Sequence, residues 1–134
     1  MTLFRPFLEG IRIIVVEDKG DFLLLITAFL DRHGAQVSAA KNAIEGLRLV
    51  REIYPDVVLS DINMPGRNGI ELLADIRALG RNDGGPVPVI AMTAYTVDQT
   101  LVDAGFQSIL RKPFGPDQLL ATIDAVLSGR PPGD

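Results

Sequence analysis

The sequence contains no cysteine. That excludes a disulfide framework, thiol catalysis and every zinc or iron–sulfur site built on thiolates. His33 is its single histidine, so a metal centre made of several imidazoles is excluded too. No apolar run approaches the roughly 20 residues that cross a bilayer as a helix. Residues 1–9 lack the basic-then-apolar shape of a secretory signal. Positive charge is the scarcer sign: 13 Lys and Arg against 17 Asp and Glu leave −4. Such a balance gives no attraction to nucleic acid or to an anionic membrane. What is present is apolar. Hydrophobic residues make up 47% of the 134, enough for a packed core and too many for a disordered tail. The length suits about one domain. The expectation is a small soluble cytoplasmic domain with no membrane and no nucleic-acid partner.

Short β-rich runs alternate with helical patterns along the chain. Residues 11–16 (IRIIVV) are mostly β-branched, as in a strand buried on both faces. Residues 22–33 read as a helix whose apolar stripe is Phe22, Leu25, Ile26 and Phe29. A second strand over 35–39 precedes a helix over Ala43–Ile53, which stops ahead of Tyr54 and Pro55. Residues 57–60 form a third strand, and 70–79 a helix with Leu72, Leu73, Ile76 and Leu79 on one face. The stretch 81–86 (RNDGGP) is a loop by its turn chemistry. Residues 87–92 and Ser108–Arg111 give strands four and five, and 117–127 a closing helix. Between the last two strands only 97–104 is available for a helix, and its periodicity is weak. This alternation predicts a parallel sheet covered on both faces. Right-handed crossovers favour the flavodoxin-like strand order 2-1-3-4-5, a doubly wound α/β fold. The domain is expected over residues 10–128, with 1–9 and 129–134 loose.

Ligands of such sheets bind beyond the carboxyl ends of the strands. Strand one ends in Glu17 and Asp18, strand three in Asp61 with Asn63 close behind, strand four in Thr93, and strand five in Lys112. Three carboxylates brought to one rim repel unless a cation joins them. Oxygen donors without His or Cys select a hard ion, and Mg²⁺ suits a site that keeps several waters. A carboxylate beside Mg²⁺ can act as a nucleophile toward phosphorus, and Lys112 and Thr93 can hold phosphoryl oxygens. Each residue also has an ordinary structural use: an acidic turn, a helix N-cap for Thr93, a surface lysine. Their convergence on one rim argues against four such coincidences. His33, before Gly34 at a helix end, reads as structural. Gly20 and Gly69 make no nucleotide fingerprint.

The segments VVED, LSDINMPGRNG, AMTAY and LRKPF, in this order, resemble the receiver domain of two-component response regulators over residues 10–127. The resemblance implies that Asp61 is the phosphoacceptor. It implies that Asp18, Asp61 and the Asn63 backbone carbonyl ligate Mg²⁺, with Glu17 acting through water, and that Thr93 and Lys112 hold the phosphoryl group. The donor implied is a phosphohistidine on a sensor histidine kinase or a phosphotransfer domain. Three departures stand out: Ile109 where the family usually carries an aromatic residue, a segment from Thr93 to Lys112 about one helical turn short, and Glu17-Asp18 in place of two aspartates. Residues 7–10 (FLEG) resemble the lead-in to receivers of hybrid sensor kinases. Two alternatives compete: a degenerate receiver serving only as a protein-binding module, and a small haloacid-dehalogenase-like phosphatase. The latter needs an acid where this chain has Asn63. On a helical wheel Leu24 faces away from the stripe and Leu23 lies at its flank, so the first helix is expected to meet a partner or form a weak homodimer.

Overall fold

The computed structural model describes residues 7–95 and 99–129. Five parallel strands form one sheet in the order β2-β1-β3-β4-β5. The strands are β1 (Arg12–Val16), β2 (Gln36–Ala40), β3 (Val57–Asp61), β4 (Val89–Thr93) and β5 (Ser108–Arg111). The helices between and after them are α1 (Gly20–Arg32), α2 (Ala43–Ile53), α3 (Gly69–Arg77), α4 (Gln99–Asp103) and α5 (Pro116–Leu127). Fold class and strand order are as the sequence predicts. Among the described residues no helix is long and apolar enough to cross a membrane.

The two faces of β1 sort the core. Ile13 and Val15 join Leu59, Ile90, Met92 and Leu110 under α1 and α5. Ile14 and Val16 join Val58 and Val89 under α2 and α3. This is the period-two alternation of a strand buried on both sides, which is why IRIIVV carries no polar face. Asn42 caps α2 by accepting from the Glu45 N–H at 2.8 Å, and Asn68 with Glu71 forms a reciprocal capping box on α3. Tyr54 ends α2 in the left-handed region at φ 54°, ahead of Pro55. His33 closes α1, its ring Nδ1–H donating to the Phe29 carbonyl at 3.0 Å.

Three expectations need correction. The inward stripe of α1 is Leu23, Ile26 and Leu30, with Phe22 and Phe29 on its margins, whereas Leu25 is 67% exposed. Residues 23–26 are four apolar side chains in succession, so a wheel alone does not fix which side packs. Leu23 is therefore core; the outward pair is Leu24 and Leu25. Leu8 is likewise no loose residue. It is buried against Leu30 and Ala35 in the same core, and its N–H donates to the His33 carbonyl at 2.8 Å. Residues 1–6 and 130–134 lie outside the described residues. The helix expected over 97–104 is present as α4, Gln99–Asp103, while residues 96–98 lie outside the described ones.

Candidate functional site

Backbone pairing continues one residue past three of the strands. The N–H of Glu17 donates to Ala40 O at 3.0 Å, that of Ile62 to Met92 O at 3.0 Å, and that of Lys112 to Thr93 O at 2.7 Å. The sheet ladder thereby fixes Glu17, Asp61, Thr93 and Lys112 at one rim. Glu17, Asp61 and Thr93 are buried there, and Asp18 is half-buried.

Carboxylate oxygens of Glu17, Asp18 and Asp61 all lie within 4.8 Å of one another. Lys112 Nζ donates to Glu17 Oε1 at 2.8 Å and stands 3.6 Å from Asp61 Oδ1. The second Glu17 oxygen accepts the Lys19 N–H at 3.1 Å, so both of its oxygens are engaged. Asp61 Oδ1 accepts the Ile62 N–H at 2.9 Å. Burial pushes the Asp61 carboxyl above its ordinary value and the Glu17 charge adds to this, while Lys112 works against both. Asp18 Oδ1 is buried without a hydrogen-bond partner. An orphaned carboxylate oxygen beside two further acids is costly, and a hard cation relieves both the desolvation and the repulsion. The donor set is oxygen only, which fits Mg²⁺.

Thr93 Oγ1 accepts the Tyr95 N–H at 3.1 Å. Asn63, whose side chain is exposed, borders with Thr93 and Tyr95 an open pocket of about 260 Å³ whose apolar wall includes Ile62 and Leu101. All the residues expected at the site are thus on this rim, with the three acids and Lys112 in one cluster. Ile109 sits in an apolar cluster with Ile62, Ala91 and Leu101 under α4.

Sequence reasoning overlooked three contributors. The Lys19 N–H holds Glu17. Phe22 places its ring 4.5 Å below Lys112 Nζ. Gly69 opens α3 in tight contact with the backbone of Asp61 and Ile62, and its N–H donates to Ile62 O at 2.9 Å. Only Phe22 had a legible signal: four residues after Asp18, it lies on the first turn of the helix that leaves the rim.

Fold and rim together define a class, that of flavodoxin-like α/β domains with an acidic phosphoacceptor rim. The chain belongs to the response regulator receiver domain family of two-component systems, which it matches over residues 13–124. It is 36% identical over 119 residues to protein PilH of Pseudomonas aeruginosa, covering 88% of this chain and 98% of that one. It is also 36% identical over 119 residues to the DNA-binding response regulator MtrA of Mycobacterium tuberculosis H37Rv, covering 87% of this chain and 50% of that relative. Among solved structures it is similar to the receiver domain of the sensor histidine kinase PA1611 of Pseudomonas aeruginosa PAO1, which has a magnesium ion coordinated in its active-site cleft. The TM-score is 0.80 at 28% identity, over 89% of this chain and 98% of that one. Chemotaxis response regulator CheY4 of Vibrio cholerae gives 0.79 at 27% identity, over 87% and 98%.

Proposed function

We propose that this receiver, expected over residues 10–128 and including Leu8 in its core, takes a phosphoryl group onto Asp61 from a phosphohistidine and changes its partner contacts as a result. The observation that supports the reading is the setting of Asp61: a buried carboxylate next to two further acids, one with an orphaned oxygen, and 3.6 Å from an ammonium. One Asp61 oxygen attacks phosphorus, forming a P–O bond as the P–N bond to the imidazole breaks. The electron pair leaves with the ring nitrogen, which is left as neutral histidine after proton exchange with solvent. Lys112 and Thr93 would hold phosphoryl oxygens, Lys112 by turning from Glu17 and Thr93 through its hydroxyl. Asp18, Asp61 and the Asn63 backbone carbonyl would hold Mg²⁺ directly. Glu17, with both oxygens already engaged, would reach it through water. Bound there, Mg²⁺ neutralises charge on the phosphoryl oxygens.

The donor is a sensor histidine kinase or a phosphotransfer domain. Leu24 and Leu25, exposed at the start of α1, offer it an apolar landing or serve a weak homodimer. The chain phosphorylates and dephosphorylates itself and turns over no separate substrate. Incubation with Mg²⁺ and a small phosphodonor, followed by intact mass, tests the assignment. A phosphoryl adduct is expected on the wild type and none on Asp61→Asn. Full labelling of the variant would move the acceptor elsewhere.

A further inference from the structure

Lys112 has three neighbours of different kinds. Its ammonium meets Glu17 at 2.8 Å and Asp61 at 3.6 Å, and it stands 4.5 Å from the centroid of the Phe22 ring. That ring is braced in turn by Phe114, the two centroids 6.0 Å apart and the planes at 77°. Phe22 stands four residues beyond Asp18 on α1, and Phe114 two residues beyond Lys112. The aromatic pair therefore links the chain leaving β1 to the chain leaving β5.

We infer that Phe22 is a positioning residue for Lys112, its ring face holding the ammonium over the rim so that the ammonium can leave Glu17 without leaving the site. The inference rests on the phosphoacceptor reading above and goes beyond it. A lysine side chain has four rotatable bonds, and only a defined seat keeps its head group near Asp61. The resting seat is Glu17. A phosphoryl group on Asp61 needs the same ammonium, so the Glu17 contact has to loosen during transfer. The negative face of an aromatic ring attracts a cation without consuming any particular N–H donor. All three donors of Lys112 stay available for carboxylate or phosphoryl oxygens. An aliphatic side chain at position 22 would cover the lysine stem equally well but offer the ammonium nothing. The near-perpendicular contact with Phe114 is a favoured aromatic geometry and fixes the tilt of the Phe22 ring.

The test compares wild type, Phe22→Leu and Phe22→Tyr in the full chain. The first readout is ¹³C relaxation at the Lys112 ε-methylene in the metal-free protein, which does not depend on phosphorylation. The second is the labelling rate with Mg²⁺ and a small phosphodonor, and urea unfolding verifies that all three are folded. Phe22→Leu is expected to mobilise the Lys112 ε-carbon and to slow labelling about three- to tenfold. Phe22→Tyr, which keeps the ring, is expected to restore both to near the wild-type level. Two results overturn the inference: a Leu variant with an ordered Lys112 and wild-type labelling, or a Tyr variant as impaired as the Leu one. A wild type that takes no phosphoryl group would instead remove the phosphoacceptor reading, and the relaxation comparison would still decide whether Phe22 seats Lys112.

Discussion

A methyl group on Gly69 would overlap the carbonyl oxygen of Asp61, and it would also lie 2.9 Å from the Ile62 Cα. The first turn of α3 is thus pressed against the backbone that presents the central carboxylate. No side-chain rotation relieves such an overlap, because both partners are main chain. Gly69→Ala is expected to lower the unfolding free energy by about 1–3 kcal/mol in urea. It should also weaken Mg²⁺ binding, since Asp61 has to shift. A variant with unchanged stability and metal affinity would show that α3 can back away freely.

Lys112 and Glu17 form an ion pair whose acidic partner is fully enclosed and whose lysine is half-buried. Removing the cation leaves Glu17 charged and uncompensated next to Asp18 and Asp61. Lys112→Ala is expected to cost about 3 kcal/mol in the metal-free protein. Added Mg²⁺ should recover more stability in this variant than in the wild type, because the cation then offsets a larger repulsion. Thermal melts with Mg²⁺ and with chelator measure the difference.

The raised titration of Asp61 has a definite sign. Between its ordinary value near 3.8 and its higher value in the fold, the native state binds more protons than the unfolded chain. Stability of the metal-free protein therefore falls as pH rises through that window. Asp61→Asn removes the buried charge, so its urea midpoint is expected to exceed that of the wild type at neutral pH. The advantage should shrink as the pH is lowered through the same window. Equal midpoints at every pH would mean that the acid cluster is not strained.

Much of this was legible from the sequence because two periodicities are clean. The β-branched runs and the amphipathic α2 and α3 segments specify alternation, and alternation specifies the sheet. Polar residues directly after buried strands stand out as a rim. Less legible was anything decided by apolar neighbours alone. Leu23 and Leu25 are chemically equivalent, and only packing against the sheet distinguishes them. Leu8 lies in a short lead-in with no period to read, yet it is buried. Phe22 is legible only through its spacing of four residues from Asp18, and Gly69 acts through the side chain it lacks.

The exposed pair on α1 can be separated from the buried residue beside it. Leu24→Lys with Leu25→Lys should keep the unfolding free energy within about 0.5 kcal/mol of wild type, because both side chains are already in solvent. Leu23→Lys should prevent folding. Phosphotransfer from a cognate kinase is expected to slow in the double variant, while labelling by a small phosphodonor stays unchanged. Wild-type rates from the kinase in the double variant would remove α1 from the docking surface.

Tyr95 stands beside Thr93 at the mouth of the pocket that Asn63 also borders. A bulky neighbour there hinders in-line water from reaching an acyl phosphate on Asp61. Tyr95→Ala is expected to speed phosphate loss severalfold, measured by the decay of the intact-mass adduct. A slower decay would contradict shielding.

The five residues of α4 make a helix too short to persist by its own hydrogen bonds. Its Leu101 packs against Ile62 and Ala91 in the small cluster beneath it. Ile62 directly follows Asp61 and donates its amide hydrogen to that carboxylate. The turn and the acceptor therefore share one residue. A displacement of the Asp61 carboxylate bears directly on a residue that also packs that turn.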